Sequence, residues 1–75
     1  MIMKPRYYMI QNDNNARSWT SPIMYKVYGN KVYEKFLLDP TDTFTLERVT
    51  IKELYANYPD LIKELTEEEF FLEFI

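Results

Sequence analysis

The chain has 75 residues, a net charge of −3 and neither cysteine nor histidine. Without cysteine there is no disulfide framework and no thiolate metal site, and without histidine the commonest general base and metal ligand is missing. No apolar run reaches the roughly 18–20 residues that span a bilayer, and the first residues lack the apolar core of a signal peptide. We therefore expect one domain over residues 1–75, located in the cytoplasm and holding neither a cofactor nor a metal.

The first half of the chain predicts three strands. Residues 6–11 favour a strand because tyrosine and isoleucine suit a pleated surface. A loop carrying Arg17 and Trp19 is expected over residues 12–21, which begin with a dense cluster of turn-forming residues. Residues 22–38 then predict a hairpin around Gly29-Asn30, since glycine at the first central position suits a type II′ turn, although type I′ is also tolerated.

The predicted hairpin register pairs Tyr28 with Lys31 and Val27 with Val32. Side chains alternate between the two faces of a strand, so each face can be specified. We expect the core face to carry Ile23, Tyr25, Val27, Val32, Phe36 and Leu38. We expect the other face, which would meet solvent or a ligand, to carry Met24, Lys26, Tyr28, Lys31, Tyr33 and Lys35.

The second half of the chain predicts one more strand and two helices. A turn over residues 39–42 leads to a strand over residues 43–49. Thr50 and Glu53 have the spacing of a capping box, and Pro59 ends the helix that follows.

The last sixteen residues are less uniform. Residues 60–65 fit either an extended segment or a single helical turn. A second capping box, formed by Thr66 and Glu69, begins a final helix. The predicted fold is therefore α+β: a small antiparallel meander sheet of three to four strands, with two short C-terminal helices packed on one face.

Charge is distributed unevenly along the chain. Residues 1–38 contain six basic and two acidic residues, whereas residues 39–75 contain three basic and ten acidic residues. Regularly placed carboxylates can imitate an array of phosphates and so occupy the basic groove of a nucleic-acid-binding protein. The candidate partner-binding residues are Asp60, Glu64, Glu67, Glu68, Glu69 and Glu73, with Trp19 or exposed tyrosines as apolar anchors. A lid over the sheet is an equal alternative for Trp19.

A second hypothesis places nucleic acid on the hairpin. Aromatic rings interleaved with cations are typical of sheets that bind single strands. The residues concerned are Lys26, Tyr28, Lys31, Tyr33 and Lys35. The overall acidity of the chain disfavours this alternative, because its far field repels phosphate.

The phenylalanine-rich C-terminus allows a third hypothesis. Its apolar residues favour core packing, and the alternative is a self-assembling subunit. A homodimer would use Phe70, Phe71, Phe74 and Ile75.

Catalysis has little support in the sequence. The serines and threonines have no histidine to activate them, and one glycine does not build a phosphate-binding loop. We therefore predict a protein that is not an enzyme.

The composition also resembles that of a known class of proteins. Phe, Tyr, Met, Ile, Asn and Lys account for 33 residues, against 10 for Gly, Ala, Arg and Pro. With the acidic capped ending over residues 65–70, this bias resembles small accessory proteins of phages and prophages from AT-rich Gram-positive hosts. The resemblance implies binding and blocking of a host enzyme or defence complex. The function predicted is thus that of a small acidic interaction protein that inhibits or modulates a larger, nucleic-acid-binding host protein, as a DNA mimic of the anti-defence type.

Overall fold

A computed structural model of the chain describes residues 4–11, 21–41 and 43–75. Within these ranges the elements are, in chain order, β1 (Arg6–Ile10), β2 (Ile23–Tyr28), β3 (Lys31–Phe36), β4 (Thr45–Glu47), α1 (Ile51–Asn57), β5 (Ile62–Leu65) and α2 (Glu67–Leu72). The strands form one antiparallel sheet in the order β4-β3-β2-β1-β5. The predicted α+β class is confirmed, and β1 to β4 form the expected meander.

The hairpin between β2 and β3 has the predicted position and register. Gly29 has a φ of 60°, and Asn30 does not have a positive φ. This is the pattern of a type II′ turn, in which only the first central residue is left-handed. Tyr28 pairs with Lys31 and Val27 with Val32, as predicted. The two-residue turn therefore fixes which side chains share a face.

The segment left open by the sequence is a fifth strand. β5 pairs antiparallel with β1, from Tyr7 opposite Leu65 to Ile10 opposite Ile62. Ile62 and Leu65 are both buried, but they lie in different hydrophobic clusters. A spacing of three residues suits one face of a helix, whereas in a strand it places the two side chains on opposite faces. Both faces of this sheet are covered, so the extended form buries both residues.

The sheet has a hydrophobic cluster on each face, and one helix covers each cluster. On the first face, Leu54 of α1 packs with Tyr8 and Ile10 of β1. On the second face, Phe70 of α2 packs with Tyr7 and Met9 of the same strand. The structure thus differs from the expected arrangement with both helices on one face. The alternation of β1 between buried tyrosine, methionine and isoleucine residues is what makes the strand apolar on both sides.

Four side chains of the hairpin segment do not have the burial that the sequence predicted. Met24 and Lys35 were expected to face solvent or a ligand, but they are buried on the side that α2 covers. Conversely, Phe36 and Leu38 were expected in the core and are exposed. Leu38 lies in the turn that follows β3, where strand alternation no longer applies.

Both helices begin at the predicted caps. The Thr50 hydroxyl accepts a hydrogen bond from the Glu53 amide at 3.1 Å, and Tyr58, which precedes Pro59, is the C-cap of α1. At Thr66 the capping box is complete, because the Glu69 carboxylate also accepts a bond from the Thr66 amide. Among the described residues, no helix is long and apolar enough to cross a membrane.

Candidate functional site

Four of the predicted carboxylates lie together along one edge of the molecule. Asp60 lies in the turn before β5, Glu64 in β5, and Glu67 and Glu68 in the first turn of α2, and all four are exposed. We call these four residues the acidic edge. The turn is closed by the Leu61 and Ile62 amides, which both donate to the Tyr58 carbonyl oxygen at 3.1 Å. At roughly 3.3 Å per extended residue, the strand Ile62–Leu65 alone gives the acidic edge about 10 Å of length.

The other two predicted carboxylates have different positions. Glu69 is exposed, but its carboxylate caps α2, and hydrogen bonding to the Thr66 backbone lowers the pKa of Glu69. Glu73 lies at the far end of the same helix and lines a groove with Lys35 and Phe74. These two carboxylates are therefore not part of the acidic edge.

Glu64 carries an ion pair to the neighbouring strand. The Arg6 guanidinium donates from Nε to Glu64 Oε2 at 3.3 Å and from Nη2 to Oε1 at 3.5 Å. Both side chains are largely exposed, so the pair contributes little to stability. Hydrogen bonding to Glu64 raises the pKa of Arg6. Arg6 also lies 5.4 Å from the centre of the Tyr8 ring on its own strand.

The carboxylates do not converge on one point. Among the residues that the structure describes, no three acidic side chains are placed to hold a metal ion. Lys4 and Arg6 line the same groove, of about 350 Å³, as Glu64 and Glu67. The arrangement is thus a row of charges open to solvent, with two cations on its β1 side.

The lysine–tyrosine face (Lys26, Tyr28, Lys31, Tyr33, Lys35) is not a continuous exposed surface. The Lys26 ammonium lies 4.3 Å from the centre of the Phe44 ring. Lys35 is 5% exposed, and its ammonium donates to the carbonyl oxygens of Phe36 at 3.0 Å and Asp39 at 2.7 Å. Two of the three lysines are therefore engaged within the protein, and Lys31 is the exposed lysine of this set.

The tyrosines of this face are also arranged unfavourably for base stacking. The rings of Tyr28 and Tyr33 meet edge to face, with centroids 6.1 Å apart and planes at 81°. Tyr28 is exposed and Tyr33 is half-buried. Two successive bases would need two parallel open rings, which this pair does not offer.

One of the four residues predicted to form a dimer interface lies in the hydrophobic core instead. Phe70 is 1% exposed and stacks on Tyr7, with ring centroids 4.4 Å apart. Phe74 is partly covered through ring contacts with Phe44 and Phe70. Phe71 and Ile75 remain exposed. The predicted anchor Trp19, and with it Arg17, lies outside the described residues.

One polar pair in the sheet was missed by the sequence analysis. The Tyr25 hydroxyl donates to Glu34 Oε2 at 3.0 Å. Burial raises the pKa of Glu34, and burial also raises the pKa of Tyr25. The predicted register already placed these residues opposite one another, so a glutamate on the apolar face of the hairpin was the available signal.

Comparison with known proteins adds nothing to these observations. No protein-family model matches the chain, and no curated protein and no solved structure matches it. Function is therefore inferred from the geometry and charge of the described residues.

Proposed function

We propose that this protein is a non-enzymatic interaction protein whose acidic edge docks on the basic, nucleic-acid-binding surface of a larger protein and competes with nucleic acid there. The observation that carries the proposal is the row of four exposed carboxylates that runs from the turn before β5, through β5, to the start of α2. Such a row attracts a basic surface from a distance and fixes its orientation on contact.

The rigid placement of the row supports a docking role. Glu64 is held on a strand that pairs with β1 over four residues. Glu67 and Glu68 follow directly on a helix that is anchored by a complete capping box and by the buried ring of Phe70. Charges on ordered elements lose less conformational freedom on binding than charges on a loop.

The lysine–tyrosine face supports the alternative less well. Lys26 and Lys35 are engaged with Phe44 and with backbone carbonyl oxygens, so few cations remain for phosphate contacts. Phosphate contacts supply most of the affinity of nonspecific nucleic-acid binding. A direct nucleic-acid-binding role would therefore rest mainly on Lys31.

Capture experiments with charge-reversed variants test the proposal. The chain is immobilised and exposed to the heparin-binding fraction of a cell lysate. We expect it to retain nucleic-acid-binding proteins at low salt and to release them when double-stranded DNA is added. The double variant Glu67→Lys/Glu68→Lys should lose this capture, because two carboxylates of the acidic edge become cations.

A matched control separates the acidic edge from net charge. Glu53→Lys/Glu73→Lys makes the same change in total charge at two exposed acids outside the acidic edge. This control should retain the captured proteins. Equal loss in both double variants would contradict docking through the acidic edge, and so would equal retention.

A further inference from the structure

β5 is an edge strand whose outer side pairs with no described strand. It occupies one end of the sheet order and pairs with β1 on its inner side. An edge strand presents backbone amides and carbonyl oxygens to which another strand can bind. The question is which of these groups point outward.

The alternation of hydrogen bonds between β1 and β5 shows which backbone groups of β5 point outward. In an antiparallel pair, every second opposed couple exchanges backbone hydrogen bonds. The Gln11 amide donates to the Leu61 carbonyl oxygen at 3.0 Å, and this couple continues the register of β1 with β5. Lys63 and Leu65 therefore bond inward to β1, and the amide and carbonyl of Glu64 point away from the sheet.

Glu64 is the open position on this edge. Ile62 also points outward, but its amide already donates to the Tyr58 carbonyl oxygen. Among the described residues, none donates to or accepts from the Glu64 backbone on its outer side. A strand added here would exchange its central pair of hydrogen bonds with Glu64.

The charge of Glu64 determines which kind of strand can pair favourably with the open edge of β5. Opposed side chains of unlike charge stabilise an antiparallel pair and like charges destabilise it. Two copies of β5 that exchange hydrogen bonds through this position would place Glu64 against Glu64. A segment with lysine or arginine opposite Glu64 would instead meet the acidic edge, with Asp60 before β5 and Glu67 after it, and its cation would share the Glu64 carboxylate with Arg6.

We propose that the edge of β5 accepts an extended basic segment of the partner protein as a sixth strand, with a lysine or arginine opposite Glu64. This inference rests on the proposed function and specifies how the partner engages the acidic edge. The backbone bonds supply register and the opposed charges supply selectivity.

Hydrogen exchange with a defined peptide tests the proposal. The probe is an acetylated and amidated eight-residue peptide that alternates valine and lysine. At saturating peptide and low salt, exchange of the Glu64 amide should slow about tenfold or more, because that amide becomes hydrogen-bonded in the complex. Exchange of the Lys63 amide, which already bonds to β1, should change much less.

Two substitutions at one position separate the backbone from the charge. Glu64→Pro removes the outward amide, and proline is tolerated on an edge strand where the missing N–H faces solvent. It should weaken peptide binding about tenfold more than Glu64→Gln does, because the proline variant also loses one net hydrogen bond. Glu64→Gln removes only the charge and should cost about threefold. Glu53→Gln, an exposed acid on α1, serves as the control and should leave binding unchanged.

The outcomes are distinguishable. Peptide binding without protection of the Glu64 amide would mean that charge alone holds the peptide, which overturns the sixth strand and leaves docking through the acidic edge in place. A dimer in light scattering that Glu64→Pro abolishes would assign the edge to a second copy and overturn the partner segment. Absence of peptide binding also overturns the sixth strand, while the lysate capture decides the proposed function independently.

Discussion

Replacement of Phe70 by alanine is the sharpest test of how α2 is held. The side chain is 1% exposed and is the buried residue of this six-residue helix. Its ring stacks on Tyr7 at 4.4 Å and meets Phe74 at 5.1 Å and Phe44 at 6.0 Å. A helix this short has no stability of its own, so its position depends on tertiary contacts.

The size of the effect follows from these contacts. Truncation of a buried phenylalanine to alanine costs about 3–5 kcal/mol, which includes the cavity that remains. At about 0.05–0.15 kcal/mol per residue, a chain of 75 residues has a free energy of unfolding of about 4–11 kcal/mol. Phe70→Ala should therefore remove a large share of the total stability.

Urea unfolding followed by circular dichroism measures this loss. Phe71→Ala is the matched control, because Phe71 lies on the same helix with 54% of its surface exposed. The control should lose less than about 1 kcal/mol. If Phe70→Ala and Phe71→Ala were equally destabilised, or if Phe70→Ala stayed within about 1 kcal/mol of the wild type, the packing of α2 on the second face would be refuted.

Three further substitutions probe the cap of α2, the half-buried acid Glu34 and the edge strand β5, all by urea unfolding. Thr66→Ala removes the hydroxyl that accepts from the first turn of α2 and should cost about 1 kcal/mol. Because the pKa of Glu34 is raised in the folded protein, the contribution of Glu34 to the free energy of unfolding is complete below the ordinary glutamate pKa and is lost as pH rises through the raised value. Glu34→Gln should therefore lose less stability than the wild type over this pH range. Lys63→Pro removes an inward hydrogen bond and should cost at least about 2 kcal/mol more than Glu64→Pro; equal costs would refute the register.

Local signals were enough to predict the hairpin and the caps. Gly29-Asn30 and the alternating residues around it specify the turn, and the turn fixes the register. Thr50 and Thr66 begin the helices because a hydroxyl at the N-cap satisfies an amide that has no partner within the helix. These features depend on residues that are close in the sequence.

The second covered face was not predictable in the same way. Phe70 meets Tyr7 across more than sixty positions of the chain, and contacts of this long range are what place Met24 and Lys35 under a helix. A lysine in an alternating strand usually indicates a solvent-facing position. The pattern does not reveal that the Lys35 ammonium donates to two backbone carbonyl oxygens. The acidic residues were predictable as a group, whereas their division between the acidic edge and the far end of α2 required the fold.

Competition on the captured partner tests the central claim most directly. A fluorescently labelled DNA duplex is bound to the partner protein isolated by capture, and the chain is titrated in while anisotropy is followed. Docking through the acidic edge predicts that the chain displaces the duplex, that rising salt weakens the displacement, and that Glu67→Lys/Glu68→Lys abolishes it while Glu53→Lys/Glu73→Lys does not. A ternary complex in which the duplex and the chain bind the partner together would contradict the account.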